Sequence, residues 1–429
     1  MRGTGETRPL LPARTGPPAE IERGFRAINS RLKYTVKYTA IHCFYWSVCC
    51  SSGGFVAVYM LSLHYTNSQI GLAVAAINFA SAFLQPVVAE FADRSRKLFL
   101  KNFFIAFLGA ACLLAAVRFL AAGAPPFFLV LSLVLELIVL WSLQPLVISL
   151  GIRITDLGVP INFSLARGTG SMAFAVTAVL LGFLIDRKGP SPLAGVSVAL
   201  YIVLGVLVFT FAKERDRPPQ AGPPLPAAAQ DRQPDSRPVR PAKNKKFLIL
   251  MAAVVLTFCS YSIICNFLIQ ITEHVGGSAK EMGIASGLSA AIEMPSMILF
   301  GVLVKRFRCS TILKCSLFFF VVKSILTLTA ASVPALYAAQ MFQSCAYAQF
   351  TPASVFYVNQ VVGKDNMVKG QAFMTGAATL GSVAASLIGG WLLDGPGVSA
   401  MLAVGTAFAL LGFAVGCFSI QKTGTVADA

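Results

Sequence analysis

Acidic residues are scarce in this chain: 18 Asp and Glu stand against 35 Lys and Arg, and charged residues of both signs make up only 12% of the 429 positions. An ordinary soluble domain carries about a quarter charged residues, so a water-facing globular surface is excluded. Only three histidines occur, His42, His64 and His274, which makes a histidine metal centre improbable on chemical grounds. The chain has no Gly-x-x-x-x-Gly-Lys-Ser/Thr phosphate loop, no nucleophile elbow and no paired-acid motif. Those absences argue against an ATP-driven pump and against an enzyme. The ten cysteines, Cys43, Cys49, Cys50, Cys112, Cys259, Cys265, Cys309, Cys315, Cys345 and Cys417, lie mostly inside apolar runs without ligand spacing. They read as small buried hydrophobes rather than as disulfides or metal ligands.

What is abundant is apolar. Hydrophobic residues reach 56%, phenylalanines number 33, and the mean hydropathy is +0.72. Apolar runs near the ~20 residues that an α-helix needs to cross a bilayer lie at Tyr38–Leu63, Gln69–Glu90, Leu98–Leu120, Pro126–Leu150, Leu165–Ile185 and Leu193–Phe211. Six more lie at Phe247–Ile271, Met282–Val304, Thr311–Ser332, Ala335–Val361, Gln371–Leu393 and Ser399–Phe418. Between the two sets, residues 213–246 are rich in proline and charge with no periodic apolar face, the composition of a disordered cytoplasmic linker. Residues 1–37 form a polar, basic tail without the apolar core and cleavage site of a signal peptide. The expected organisation is a tail at 1–37, a six-helix bundle at 38–212, the linker, a second bundle at 247–419 and a short tail at 420–429.

A net charge of +17 could suggest nucleic acid, but most of the Lys and Arg fall in alternate segments. That is the positive-inside pattern, with both termini in the cytoplasm. The fold class expected is therefore an all-α membrane protein of about twelve transmembrane helices in two pseudo-symmetric bundles.

Glu293 and Lys323 each sit near the middle of an apolar span. A central charge costs roughly 2.5–3.5 kcal/mol on insertion scales, so such groups face a bundle interior or a wet cavity and mark substrate or ion paths. The alternative is a structural ion pair that holds two helices in register. Glu136 is a third intramembrane acid; it pairs with Arg167 or Arg118, or serves as a structural bridge. Aromatic and amide residues inside the spans, Tyr45, Trp46, Asn78, Trp141, Tyr261, Asn266, Gln343 and Tyr347, are candidates to line a cavity for a small polar or aromatic solute. Trp and Tyr also serve membrane helices as interface anchors, and Asn and Gln as interhelical bonds.

The halves resemble each other. Gly182–Asp186 reads GFLID and Gly390–Asp394 reads GWLLD, each ending a small-residue span that begins near Gly170-Ser171 or Gly381-Ser382. The basic turn FADRSRK at Phe91–Lys97 has a counterpart in VKRFRCS at Val304–Ser310. Such recurrence points to a duplicated six-helix unit, with substrate near the midplane between the copies and access alternating as one rocks on the other; the alternative is that short glycine-rich words recur by chance in membrane helices. In the first of these turns Asp93, Arg94, Arg96 and Lys97 can bond across helix ends and so bias which side is closed.

FADRSRK resembles the helix 2–3 loop signature of the major facilitator superfamily. With the preceding Leu84-Gln85-Pro86 it is similar to the lactose permease group, the oligosaccharide:proton symporters and phenylpropionate-permease-like members. Arg167 in FSLARGTGSMAFA, Glu293-Met-Pro295 and Lys323 match that group's helix 5, helix 8 and helix 9 positions. The resemblance implies that Arg167 contacts substrate, that Glu293 with Lys323 carries proton coupling, and that the proton is the coupling ion with no other cofactor. Two positions depart from lactose permease: Ile148 stands where its helix 4 acid falls, and Gln343 and Ala346 replace its helix 10 His and acid. Glu293 and Glu136 are left as the carboxylates placed to carry a proton. The reading is a proton-coupled symporter of a sugar, nucleoside or aromatic acid, a monomer in a bacterial inner membrane, partnered by lipid and solute and by no nucleic acid. The alternatives are a proton-driven exporter of drugs or organic anions, or a non-transporting sensor or channel.

Overall fold

The structure, a computed structural model, describes residues 19–94, 97–156, 163–211, 244–362 and 366–421, with side chains described outside 19–31, 92–101, 152–164, 211 and 368. The first half contains α1 (Ala19–Val48), a π-helical turn at Cys49–Gly54, α2 (Val56–Ser62), α3 (Asn67–Arg94), α4 (Lys97–Leu120), α5 (Pro126–Ser142), α6 (Gln144–Asp156), α7 (Phe163–Lys188) and α8 (Leu193–Phe211). The second contains α9 (Lys245–Asn266), α10 (Leu268–His274), α11 (Ala279–Arg306), α12 (Cys309–Leu328), α13 (Val333–Met341), α14 (Tyr347–Val362), α15 (Met367–Asp394) and α16 (Val398–Ser419). Among the described residues, 11 helical spans are long and apolar enough to cross a membrane. The remaining expected crossing, the tenth at Ala335–Val361, is divided: α13 ends at Met341, a 3-10 turn occupies Phe342–Ser344, and α14 resumes at Tyr347. This is a multi-pass membrane protein.

Helix starts follow local chemistry. Ser278 and Glu281 form a capping box at α11, the Ser278 backbone N–H donating to the Glu281 carboxylate at 2.9 Å. Pro126 opens α5, where its missing N–H is not needed. Asn244 caps α9 by accepting from the Phe247 N–H at 3.2 Å. That cap starts α9 at Lys245, so Lys245 and Lys246 belong to the helix and not to the linker; residues 213–243 of that linker lie outside the described residues. Likewise α1 begins at Ala19, inside the stretch expected to be tail.

Each half is a bundle with its own interior contacts, α1 with α7 and α4 with α8 in the first, α9 with α15 and α16 in the second. Large exposed hydrophobics such as Phe83, Leu120, Leu180, Ile298 and Phe418 form the outer surface, as expected of helices solvated by lipid. The two halves meet along α7 against α11 and α3 against α15. Both contacts depend on glycine at the crossing. A Cβ on Gly283 would run into the Ala178 carbonyl and Gly182, and one on Gly390 into Asn67 and Ser68. Small residues there let backbones approach, the usual basis of helix association in lipid.

These crossings lie at the helix ends opposite the chain termini. There Asp394 accepts hydrogen bonds from the Asn67 N–H at 2.9 Å, the Ser68 N–H at 2.7 Å and the Asn67 side chain at 3.0 Å. Asp186 accepts one from the Ser278 hydroxyl at 2.7 Å, and Gln270 donates to Asn67 at 2.9 Å. The duplicated words GFLID and GWLLD therefore do the same work twice: the glycine admits the other half's helix, and the aspartate holds that helix's first turn. One apolar cluster continues through this region from Met60 and Ile70 to Ile269 and Ala385. The side away from the termini is sealed.

Candidate functional site

Behind that seal lies a cavity of about 320 Å³ bounded by both halves. On the wall from the first half stand Trp46, Asn78, Trp141, Arg167, Ser171 and Phe174. Arg167 Nη1 donates to Ser171 Oγ at 2.8 Å, and its guanidinium lies 4.4 Å from the centre of the Trp46 ring. Cation and aromatic face attract through the ring quadrupole, and one turn of α7 between Arg167 and Ser171 sets the hydroxyl beside the guanidinium. Gly170 makes room for the indole, since a Cβ there would come within 2.6 Å of Trp46.

The wall from the second half carries the other charges. Lys323 Nζ donates to Gln343 Oε1 at 2.6 Å, and Gln343 Nε2 donates to Glu293 Oε1 at 3.0 Å and to the Tyr261 hydroxyl at 3.1 Å. The Tyr261 ring stacks on Tyr347 with centroids 5.1 Å apart and 12° between planes, while the Lys323 ammonium sits 5.5 Å from the Tyr261 ring centre. Lys323 is only 2% exposed, so it needs these partners to remain in the membrane interior. Glu293 and Lys323 are thus joined through an amide and not by a direct ion pair. The 3-10 turn that divides the tenth crossing carries Gln343.

The cavity brings together most of the residues expected from sequence. Glu293, Lys323, Arg167, Trp46, Asn78, Trp141, Tyr261, Asn266, Gln343 and Tyr347 all border it. Two do not. Tyr45 is 1% exposed and donates to the Leu140 carbonyl at 3.3 Å, so it ties α1 to α5; on a helix its neighbour Trp46 points about 100° away. Glu136 is fully buried and paired with Arg118 at 2.5 Å. Ser52 and Tyr201 donate to the same carboxylate at 2.6 and 3.1 Å. This ion pair, with Arg118 and not Arg167 as the partner, knits α4, α5, α8 and the π turn, and Glu136 does not border the cavity. In the expected gating loop, Arg96 lies outside the described residues; Asp93 and Arg94 end α3 and Lys97 starts α4, with side chains outside the described set.

Sequence reasoning missed Ser171, Ser286, Ser289, Gln340 and Cys265, all on the cavity wall. One signal was present for Gln340: it precedes Gln343 by three residues in an otherwise apolar run, so the two amides share one side of the segment.

The MFS_1 like family matches residues 35–403. The chain belongs to that family, within the major facilitator superfamily. Its fold agrees with solved structures of other superfamily members at low sequence identity. A mutant of the nucleoside transporter NupG superposes with TM-score 0.73 at 13% identity, covering 90% of this chain and 100% of that one. A bacterial homologue of the iron transporter ferroportin in its inward-facing state gives 0.67 at 14%, covering 91% and 99%. A bacterial homologue of the human lysosomal transporter Spinster, inward-facing and occupied, gives 0.63 at 13%, covering 91% and 96%. No curated protein matches the sequence. Membership of the MFS_1-like family marks the chain as a transporter and not an enzyme.

Proposed function

We propose that this MFS_1-like protein is a secondary active transporter that moves a small polar solute, a sugar, nucleoside or aromatic acid, together with a proton by alternating access, as oligosaccharide:proton symporters do. The observation that carries this reading is the chain Lys323–Gln343–Glu293 on one wall of the cavity, facing Arg167 on the other. A carboxyl at that place changes the charge of the solute's binding site when it gains or loses a proton. Any solute that prefers one of the two charge states must then, by linkage, shift the proton equilibrium equally. The sealed end and the midplane cavity supply the other requirement, a site exposed to one side at a time.

The carrier acts as a monomer, since both halves of the site come from one chain. It resides in the plasma membrane, in the manner of a bacterial inner-membrane protein with cytoplasmic termini, and the conformation described is then the one closed to the exterior. Glu293→Gln is the deciding variant. In proteoliposomes it is expected to abolish accumulation driven by a pH gradient while leaving downhill exchange; uphill uptake at the wild-type level refutes proton coupling through Glu293.

A further inference from the structure

Gln340 occupies the last turn of α13 and borders the cavity. Its amide oxygen accepts from the Ser289 hydroxyl at 2.9 Å. Its amide nitrogen has no hydrogen-bond partner, although the residue is only 2% exposed. The neighbouring amides of the same wall differ: Asn266 donates to Ser386 at 2.9 Å, and Gln343 donates to both Tyr261 and Glu293. A buried amide nitrogen without an acceptor is uncommon in native proteins, and one on a residue that borders a cavity points to an acceptor from outside the chain.

The charges on the two walls are also uneven. Lys323 reaches Glu293 through Gln343, and Arg167, which donates to the Ser171 hydroxyl and lies over the Trp46 face, makes no direct ion pair among the described residues but stands within electrostatic reach of the same Glu293 carboxylate. With Glu293 ionised and shared between Arg167 and Lys323, the three side chains leave the cavity with one net positive charge. The cavity therefore presents two cations for one carboxylate, and an unused neutral donor on the second half. Polar groups left unpaired in a site discriminate strongly, because an analogue that lacks the complementary atom leaves them orphaned.

We propose that Gln340 is a substrate-binding residue whose amide nitrogen donates to an oxygen of a small organic monoanion, while Arg167 holds the anionic group of the same molecule across the cavity. The solute class is a monocarboxylate carrying a second acceptor oxygen, and its aromatic variants stack against Tyr261 or Trp141. This rests on the carrier reading but is tested by binding alone, so each can fail without the other.

The test is calorimetric titration of the purified protein with three matched compounds. 4-Acetylbenzoate has both features, 4-ethylbenzoate lacks the acceptor, and 4-acetylbenzamide lacks the charge. In the wild type 4-acetylbenzoate is expected to bind roughly two- to twelvefold more tightly than 4-ethylbenzoate, the range of one net hydrogen bond, and the neutral amide to bind most weakly. Gln340→Met is expected to erase the difference between the two benzoates while leaving 4-ethylbenzoate unchanged, a result that a merely structural role does not give. Should Gln340→Met fold poorly, Ser289→Ala/Gln340→Met removes the hydroxyl that the substitution orphans and gives the same comparison. Equal binding of the two benzoates by the wild type, tighter binding of the amide, retention of the difference in the Met variant, or no binding of any of the three overturns the assignment.

Discussion

Removing the Asp394 carboxylate tests the seal most directly. Asp394→Ala deletes three accepted hydrogen bonds, two of them from the backbone N–H groups of the first turn of α3. A carboxylate in that position contributes about 1 kcal/mol as a cap, and at an exposed helix terminus about 0.3–0.5 kcal/mol more through the helix dipole. The total, near 1.5 kcal/mol, corresponds to roughly a tenfold change in the ratio of sealed to open molecules. Asp186→Ala removes a single bond from Ser278, whose hydroxyl keeps Glu281 at 2.6 Å. Its effect should be near 0.5 kcal/mol, roughly twofold. Pulsed electron paramagnetic resonance between spin labels at Tyr65 and Pro396, in a cysteine-depleted background, reads the two populations as distances. The longer distance is expected to grow in Asp394→Ala and to change little in Asp186→Ala. If the order is reversed, or if neither distance distribution moves, the capping account of the seal is wrong.

Two further substitutions separate structure from transport. Glu136→Ala leaves Arg118 buried without its counter-ion, a loss of about 3–5 kcal/mol, so the variant is expected to melt well below the wild type; an unchanged melting temperature refutes the structural assignment of this pair. Gln343→Leu removes the acceptor of the Lys323 ammonium and is expected to destabilise by about 2 kcal/mol, whereas Lys323→Met/Gln343→Leu, which removes donor and acceptor together, should recover most of that loss. Additive losses in the double variant show that the two side chains are not coupled.

Much of the site could be read from residues alone because the membrane makes polarity expensive. Glu293 and Lys323 stand out in apolar runs, and the cost of placing them there leaves few options besides a cavity. Helical phase is harder to read. Tyr45 and Trp46 are adjacent and chemically similar, yet one ties down the Leu140 carbonyl and the other borders the cavity, a difference set by packing that composition does not record. Glu136 carries the same signal as Glu293 but has Arg118 within reach across α4 and α5; which of two arginines it meets depends on tertiary structure. Proline is an uneven guide to the breaks as well. Pro145 does stand at the start of α6, where the fourth crossing breaks at Leu143, but Pro86 and Pro295 lie inside continuous helices and the tenth crossing yields at Phe342–Ser344, where no proline stands. The recurrence of GFLID and GWLLD was visible, but its purpose was not, because each aspartate acts on a helix of the other half.

The two copies of the bundle have divided their burdens. In the first, the buried acid and base are enclosed among Ser52, Tyr201 and Tyr59; in the second, Glu293 and Lys323 border open space. Natural variation should sort along the same line. If the proposed function holds, changes at Arg118 or Glu136 are expected to lower the amount of protein that reaches the membrane, while changes at Glu293 leave abundance intact and silence the molecules that arrive, so a survey that scores only expression will overlook the coupling carboxylate.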